Sequence, residues 1–318
     1  MGAYDINGNS MNALYSASSS LDNAYDVNGN VIWTSDQDHV SRTYTATMLF
    51  DLPDIASGTQ GIACDSLSQT IAQLYGGKII TIDISTGTYT QRASGLLFGH
   101  GSTGQFAPAK VNQTDLFPPL YISTQNEQEI NSTMYTMFLE VYVGESSSTI
   151  NRVFYVPFDG QSEGDGYTLF AFDFANSIVY AVYFSAYYDT TGTGKITAYS
   201  LNSFTSFPDG SYSNPPTNGY MVAGTPLDTW SIDFIEQIQA ITFFDGLIGL
   251  LSDQPTESGR VIFYDPVQKS TYLTLHWLPT PFEREGISFM LNPVTNRHDM
   301  ILSRRASGVN EYYRYQFS

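Results

Sequence analysis

Gln239–Phe244 (QAITFF) opens a succession of four short apolar runs that are separated by turn residues. The runs that follow are Leu247–Leu251, Arg260–Asp265 and Ser270–Leu275. All four are rich in β-branched and aromatic residues, which favour strands, and each is too short for an ordinary globular helix. Four short strands in a unit of about 40–50 residues are the pattern of a β-propeller blade. This stretch therefore predicts an all-β fold built from repeated four-stranded units.

Similar units open near positions 61, 105, 167 and 286. The longer spacings between them are interpreted as loop insertions, one of which is the Pro- and Gly-rich stretch Phe204–Thr225. The last unit has three evident strands, and a spare strand, Tyr44–Phe50, precedes the first unit. We expect the spare strand to complete the last unit and to close a five-bladed β-propeller, because closure removes exposed sheet edges. A β-sandwich or two smaller β domains are the alternatives.

A six-residue phrase occurs twice before the first unit. Tyr4–Asn9 (YDINGN) returns as Tyr25–Asn30 (YDVNGN), and each copy contains Asn-Gly, a strong signal for a tight turn. The repeat is too short to bury a core of its own. We therefore divide the chain into an N-terminal extension, residues 1–42, and a propeller, residues 43–318. The extension is expected to mediate attachment and oligomerisation through Tyr4, Asp5, Asn7, Tyr25, Asp26 and Asn28.

The charge of the chain excludes some classes of partner. The 318 residues carry a net charge of −18, with only 13 Lys and Arg. Nucleic-acid binding needs a basic patch that displaces counterions, so neither nucleic acid nor an anionic membrane is an expected partner. No apolar run approaches the roughly 20 residues of a membrane span, and the first residues do not have the pattern of a signal peptide.

Metal and nucleophile signatures are weak. The single cysteine, Cys64, alternates with its neighbours in a strand-like run, so a buried apolar role is favoured over a nucleophilic one. One Cys and four scattered His do not build a zinc site. The loop Asp159–Gly166 supplies three carboxylates, but its spacing departs from that of a calcium loop. No cofactor is expected, a divalent cation such as calcium stays open, and no catalytic residue is assigned.

Two interpretations compete for His100 and for three glutamates. His100 lies between Gly99 and Gly101, so its imidazole either projects from a loop as a ligand contact or bonds a neighbouring loop. Glu236, Glu283 and Glu285 precede predicted inner strands. They either line a central pocket or tie neighbouring blades together, and the second interpretation is favoured for Glu236 and Glu285.

Aromatic side chains at strand ends and loops are more informative. A sugar site uses rings that stack on C–H faces beside polar groups that bond hydroxyls. The alternative for each ring is packing between blades. The candidate ligand-binding residues are His100, Tyr187, Tyr188, Trp230, His276 and Trp277.

The unit that opens at Gln60–Asp65, followed by Phe98–Gly101 and the strand Leu120–Ser123, resembles the five-bladed propeller of bacteriophage receptor-binding proteins that adsorb to Gram-positive cell walls. The duplicated phrase near the N-terminus is similar to short repeats of phage tail-tip proteins. The resemblance covers about residues 60–123 in motif and the rest in the rhythm of its strands. It implies a virion protein, assembled in the host cytoplasm, that forms a homo-oligomer, contacts other virion proteins and binds a host cell-surface polysaccharide.

Three functions are therefore compared. The first is a binding module of a phage tail or fibre, active in adsorption. The second is a propeller glycoside hydrolase or lyase that degrades the same surface glycan. The third is a purely structural virion decoration protein. The acidic chain would repel a polyanion such as teichoic acid unless a divalent cation intervened, so a more neutral sugar receptor is favoured.

Overall fold

The computed structural model describes residues 23–25, 31–34, 44–53, 60–93, 95–96, 103–158, 167–184, 194–232, 238–252, 259–276, 283–306 and 309–317. Within these ranges the chain consists of strands and turns, with one short 3-10 turn at Leu201–Ser203. The predicted all-β class is confirmed. No helix in the described ranges has the length and apolar character that crossing a bilayer requires.

Four of the sheets have the four antiparallel strands of a regular blade. Sheet 1 is β4 (Gly61–Asp65), β5 (Thr70–Tyr75), β6 (Lys78–Asp83) and β7 (Tyr89–Ala93). Sheet 3 is β12 (Tyr167–Asp173), β13 (Ile178–Phe184), β14 (Gly194–Ser200) and β17 (Asp228–Ile232). Sheet 4 is β18 (Ile238–Phe244), β19 (Leu247–Ser252), β20 (Arg260–Asp265) and β21 (Ser270–His276). Sheet 5 is β22 (Glu283–Asn292), β23 (Arg297–Ala306), β24 (Val309–Phe317) and β3 (Tyr44–Pro53).

Sheet 2 departs from the predicted set of five regular blades, because it has six strands. Its strands are β8 (Gly104–Phe106), β9 (Leu120–Ile130), β10 (Thr133–Val143), β11 (Ser148–Pro157), β15 (Thr205–Ser206) and β16 (Tyr220–Val222). The last two come from the predicted loop insertion, and β16 pairs parallel to β11. The insertion therefore extends the sheet, and four regular blades are found instead of five.

The predicted closure of the last unit is confirmed. The strand β3 precedes sheet 1 in the chain, but it pairs antiparallel with β24 from Phe317↔Tyr44 to Val309↔Pro53. This pairing covers the edge that β24 would otherwise expose. The two ends of the ring-forming chain are thus joined by main-chain hydrogen bonds.

The sheets form a propeller-like ring around their first strands. The contacts run from β22 to β4, from β4 to β8, from β9 to β12, from β12 to β18 and from β18 back to β22. A cluster of buried apolar side chains fills each seam between neighbouring sheets. The backbones approach closely at Gly286, where an added Cβ would lie 2.9 Å from the backbone nitrogen of Ile62.

Hydroxyl side chains from other sheets accept hydrogen bonds from backbone N–H groups at the inner edges of the ring. The backbone N–H of Cys64 donates to Ser288 Oγ (3.0 Å), and that of Phe170 donates to Ser123 Oγ (2.7 Å). Across the centre, the N–H of Ile241 donates to Thr103 Oγ1 at 3.0 Å. A buried N–H group at a sheet edge is destabilising when it has no acceptor. These hydroxyls supply the acceptor that a carbonyl of a further strand would otherwise provide.

Four hairpins share one turn design. A carboxylate or amide at the end of the first strand accepts backbone N–H bonds within the turn, and the fourth turn residue adopts positive φ. The capping residues are Asp65, Asp173, Asp265 and Asn292. The residues at positive φ are Gln69, Ser177, Lys269 and Asn296. The sequence pattern of Asp or Asn plus a turn at strand ends thus has a local physical cause.

A separate hairpin lies outside the ring. It consists of β1 (Asn23–Tyr25) and β2 (Val31–Thr34), which pair antiparallel on either side of the second copy of the duplicated phrase. β2 contacts β3 and β21. Strands thus flank the second Asn-Gly, which itself lies outside the described residues, and β2 lies against sheets 4 and 5.

Candidate functional site

The ring has two distinct ends, because its inner strands run in one direction. Near their starts, Tyr167 of β12 contacts Ile238 of β18, while near their ends Phe244 of β18 stacks on Phe289 of β22. We call the end at which the inner strands start the upper end, and the end at which they terminate the lower end. The chain enters the ring at the lower end, since Tyr44 pairs with Phe317 there.

The strands that flank four of the predicted ligand-binding residues have their nearest ends at the upper end of the ring. His100, Tyr187, Tyr188 and Trp277 lie outside the described residues. The flanking ends are those of β7 and β8, of β13 and β14, and of β21 and β22, and all of them lie at the upper end. The backbone of His276 ends β21 opposite Arg260.

Trp230 has a packing role in the structure. Its ring lies in the seam between sheets 3 and 4, where its Nε1 donates to the Tyr264 hydroxyl at 2.9 Å. Tyr180 meets the ring edge-on with a centroid distance of 6.5 Å, and Lys269 Nζ lies 5.1 Å above it. This is the packing alternative considered for the aromatic residues, and ligand binding by Trp230 stays a prediction.

The other predicted residues are only partly described. Of the attachment residues, Tyr4, Asp5, Asn7, Asp26 and Asn28 lie outside the described residues, and Tyr25 ends β1. The acidic loop 159–166 and Glu236 also lie outside them, and Glu283 begins β22. Glu285 is buried near the start of the same strand, and its role in joining sheets stays a prediction.

A cleft between sheets 2 and 3 is the described feature that best suits a small polar ligand. It has a volume of about 290 Å³, close to the lower limit of small-molecule pockets. It opens beside the end of β11 and the start of β12. The lining residues are Thr136, Val156, Pro157, Phe158, Thr168, Ala181, Tyr183, Lys195, Thr197, Tyr199, Gly224, Pro226 and Thr229. We call this feature the inter-sheet cleft.

Small side chains create the inter-sheet cleft. Ala181, Thr197 and Thr229 lie side by side across three strands of sheet 3, and they leave room where larger residues would fill the seam. Below them the seam is closed by an aromatic cluster in which Phe138 and Phe154 stack at 4.6 Å. The cleft therefore has a closely packed hydrophobic floor.

The wall of the cleft combines an aromatic ring, hydroxyls and an amine. Tyr183 lies between Thr168 and Lys195 in register, and Phe158 meets its ring edge-on at 5.1 Å. Burial raises the pKa of the Tyr183 phenol, and the Glu127 carboxylate adds to the rise. Tyr183 is therefore a neutral hydrogen-bond donor at neutral pH, and its ring is held in position for stacking.

The described wall of the cleft carries several hydrogen-bonding groups. Among the described lining residues these groups are four threonine hydroxyls, two phenols and the Lys195 amine, with no carboxylate. Glycoside cleavage uses two carboxylates flanking the scissile bond. Within the described part of the chain, no group of three or more His, Cys, Asp and Glu side chains could hold a metal ion.

The predicted burial of Cys64 is confirmed. Its side chain is buried, and desolvation raises the pKa of the thiol to about 12. A thiol with this pKa is protonated at neutral pH, whereas a nucleophilic cysteine acts as the thiolate. Cys64 therefore serves the packing of the seam between sheets 5 and 1.

Sequence reasoning did not identify the residues of the inter-sheet cleft. Tyr183, Lys195 and Thr197 lie in ordinary alternating strands, so nothing in their local pattern separates them from other half-buried strand residues. A usable signal was the small residue Ala181 in the otherwise bulky run Ile178–Phe184. Its meaning depends on which sheet packs against it.

Comparisons with known proteins give fold-level likenesses. No protein-family model matches the chain, and no curated protein matches it. A tail fibre of Staphylococcus aureus phage P68 is similar at 11% identity and a TM-score of 0.40, over 86% of this chain and 52% of that one. A mitotic checkpoint complex structure is similar at 8% identity and a TM-score of 0.39, over 84% of this chain and 95% of that one. This chain thus spans about half of the tail-fibre chain, and both likenesses are too weak to carry an argument about function.

Proposed function

We propose that this chain is a virion protein of a bacteriophage tail or fibre that binds a host cell-surface polysaccharide during adsorption. The observation that carries the proposal is the inter-sheet cleft, where the Tyr183 ring stands beside threonine hydroxyls above a closed aromatic floor. Rings and hydroxyls in one small concave site suit a sugar, because the ring stacks on C–H faces while the hydroxyls bond to its polar groups. The phage assignment follows from the resemblance of residues 60–123.

The position of the cleft supports the same function. The cleft opens at the upper end of the ring. The strand ends that flank four of the predicted ligand residues lie at this same end, whereas the chain enters the ring at the lower end. A receptor site is most useful on the side that faces away from the attachment. The separation of the two ends fits a protein that is held by one end and binds with the other.

We infer that sheet 2 serves as the fifth blade of the ring. Its strands β8 to β11 form an antiparallel set of four, and it lies between sheet 1, which contacts β8, and sheet 3, which contacts β9. In this interpretation β15 and β16 are additions on its outer edge. The propeller then covers residues 43–318, and residues 1–42 form an extension that joins neighbouring subunits or other virion proteins.

The binding proposal is tested with the purified full chain and its Tyr183→Ala variant. We expect the parent chain to bind Gram-positive cells and neutral wall polysaccharide, and to compete with phage adsorption. Loss of the ring should weaken binding roughly tenfold, since an aromatic contact and its buried area contribute about 1.4 kcal/mol or more. The matched control is Tyr89→Ala, which removes an exposed tyrosine from β7 far from the cleft.

The same experiment separates the three functions. Absence of binding to any cell or wall glycan would contradict the adsorption function and leave the structural decoration function. Release of reducing ends from the polysaccharide would favour the hydrolase, and it would have to depend on carboxylates outside the cleft lining. Equal binding by the Tyr183→Ala and Tyr89→Ala variants would place the sugar site elsewhere.

A further inference from the structure

A second, larger depression lies at the lower end, between sheets 4 and 5. It has a volume of about 770 Å³. Its floor is aromatic, since the rings of Phe244 and Phe289 stack at 4.1 Å and Phe244 also lies 4.8 Å from the His298 ring. The remaining lining residues are Asp245, Gly246, Leu247, Phe263, Asp265, Val267, Gln268, Tyr272, Leu273 and Arg297. We call it the lower-end groove.

The rim of this groove exposes apolar side chains to an unusual extent. Val267 is 79% exposed and Tyr272 is 55% exposed. Val294 and Leu67, at 91% and 63%, occupy the same position as Val267 in equivalent turns at this end. The turn design requires a cap and a residue at positive φ, and it makes no demand for an aliphatic residue at this position. Val267 and Tyr272 adjoin the aromatic floor in one apolar patch, and exposed apolar patches mark interaction sites.

The apolar surface continues beyond the groove towards the ring axis. A smaller pocket of about 270 Å³ shares Phe244, Phe289 and His298 with the lower-end groove. It extends to Leu67 and Pro108 in the turns of sheets 1 and 2. The two pockets therefore adjoin and form one track across the lower end, lined by apolar side chains together with polar ones such as Asp65 and Gln105.

The chain itself delivers a segment to this track. The hairpin strand β2 contacts β21, and Tyr272 and Leu273 of β21 form one wall of the lower-end groove. Residues 1–22 directly precede this hairpin. Fully extended, 22 residues reach about 70 Å, which is ample to cross one end of a small ring.

The composition of residues 1–22 suits an apolar track. They carry only two charges, Asp5 and Asp22, in a chain with 31 acidic residues. They contain Tyr4, Ile6 and the pair Leu14-Tyr15, which can fill pockets between aromatic side chains. They also contain the first copy of the duplicated phrase, whose second copy lies between β1 and β2.

We propose that the lower-end groove and its extension towards Leu67 are the docking surface for residues 1–22 of this chain. Docking covers the exposed valines and the aromatic floor. It also holds residues 1–22 at the end opposite the inter-sheet cleft. When the segment comes from a neighbouring copy, the same contact joins the subunits of an oligomer.

Hydrogen–deuterium exchange on the intact full chain tests this proposal. We expect peptides from residues 1–22 to be protected in the parent chain. In a Val267→Asp variant their exchange should be at least fivefold faster, because a charge at the groove rim opposes an apolar contact. The matched control is Val111→Asp, which introduces the same charge at a 59% exposed position that lines neither pocket.

The outcomes are decisive in both directions. Exchange of residues 1–22 at random-coil rates in the parent chain overturns the proposal and leaves the groove to another occupant. Equal acceleration by both variants also overturns it, because the effect would then not depend on the groove. Selective acceleration by Val267→Asp supports it, and a dependence of the protection on protein concentration identifies a neighbouring copy as the donor. Polysaccharide binding is measured separately, so failure of either proposal is recognised independently.

Discussion

At the scale of single residues, the ring depends on hydroxyl side chains that face a neighbouring sheet. Ser288, Ser123 and Thr103 are buried, and each accepts a hydrogen bond from a backbone N–H of another sheet. Two inner strands cannot pair as a regular ladder when their sheets splay outwards from a common axis. A side-chain acceptor spans the gap and leaves each buried N–H with a partner.

Replacement of Ser288 by Ala tests the importance of this contact. The variant removes the acceptor of the Cys64 N–H and leaves that donor buried without a partner. We expect the free energy of unfolding to fall by about 1–2 kcal/mol. Urea denaturation measures the change, and Ser146→Ala at an exposed turn position serves as the control. Equal stability of both variants would contradict the role of the hydroxyl.

Burial of Cys64 predicts a loss of stability at alkaline pH. The pKa of its thiol is 9.0 in the unfolded chain and rises to about 12 in the fold, so only the unfolded chain loses this proton between those values. Its contribution to stability is complete below pH 9 and is lost as pH rises towards the folded pKa, by about 1.4 kcal/mol per pH unit. Denaturation of the parent chain and of Cys64→Ala from pH 8 to 10.5 should show a steeper decline in the parent. Parallel curves would show that the thiol ionises equally in both states.

At the scale of elements, strands with strong local signals were predicted and strands without them were missed. The runs of sheet 4 agree with β18–β21 within one or two residues, because each alternates and ends at a turn residue. In contrast, β15 and β16 have two and three residues and were interpreted as part of a loop. Such short segments become strands only because β16 pairs with the edge of β11 and β15 in turn pairs with β16.

The closing strand can be tested by truncation. A chain that begins at residue 44 keeps β3, whereas one that begins at residue 54 exposes the whole edge of β24. We expect the longer chain to stay soluble with a melting temperature near that of the parent. The shorter chain should aggregate or melt at a much lower temperature, because it loses nine paired positions and exposes an edge. Size-exclusion chromatography and thermal melting distinguish these outcomes. A soluble, stable chain without β3 would show that closure of sheet 5 is dispensable.

At the scale of the whole molecule, the ring separates two surfaces of different character. The inter-sheet cleft at the upper end has hydroxyl and aromatic walls, while the lower-end groove has an aromatic floor, aliphatic residues and a few charged side chains. Both lie in seams, but different sheets form them. The seam of sheets 2 and 3 and the seam of sheets 4 and 5 share no residue.

This separation predicts independent behaviour of the two sites. In a variant that combines Tyr183→Ala with Val267→Asp, polysaccharide affinity and the exchange rate of residues 1–22 should each equal those of the corresponding single variant. Distant sites with no shared partner are additive within about 0.3–0.5 kcal/mol. A change of exchange rate on adding Tyr183→Ala alone would contradict the independence.

None of the predicted ligand residues is among the described residues that line the inter-sheet cleft. The sequence placed aromatic and histidine candidates at strand ends, and the topology brings the flanking strand ends of four of them to one end of the ring. It did not reveal Tyr183 and Thr197, because a residue becomes part of a cleft through its neighbours in another sheet. Trp230 shows the reverse case, in which a conspicuous residue is held in a seam by Tyr264 and Lys269.

By itself, the sequence determined the all-β class, the strands with clear alternation, the turns capped by Asp or Asn, and the pairing of Tyr44–Phe50 with the last sheet. These features depend on local hydrophobic period, on side-chain hydrogen bonds within a turn and on the need to cover a sheet edge. Only the tertiary structure decided that an insertion extends sheet 2, that small residues open the inter-sheet cleft, and that Val267, Tyr272 and Phe289 of separate strands and turns line one groove. Those features arise from contacts between residues far apart in the chain, and the identity of such neighbours is set by packing rather than by any local pattern.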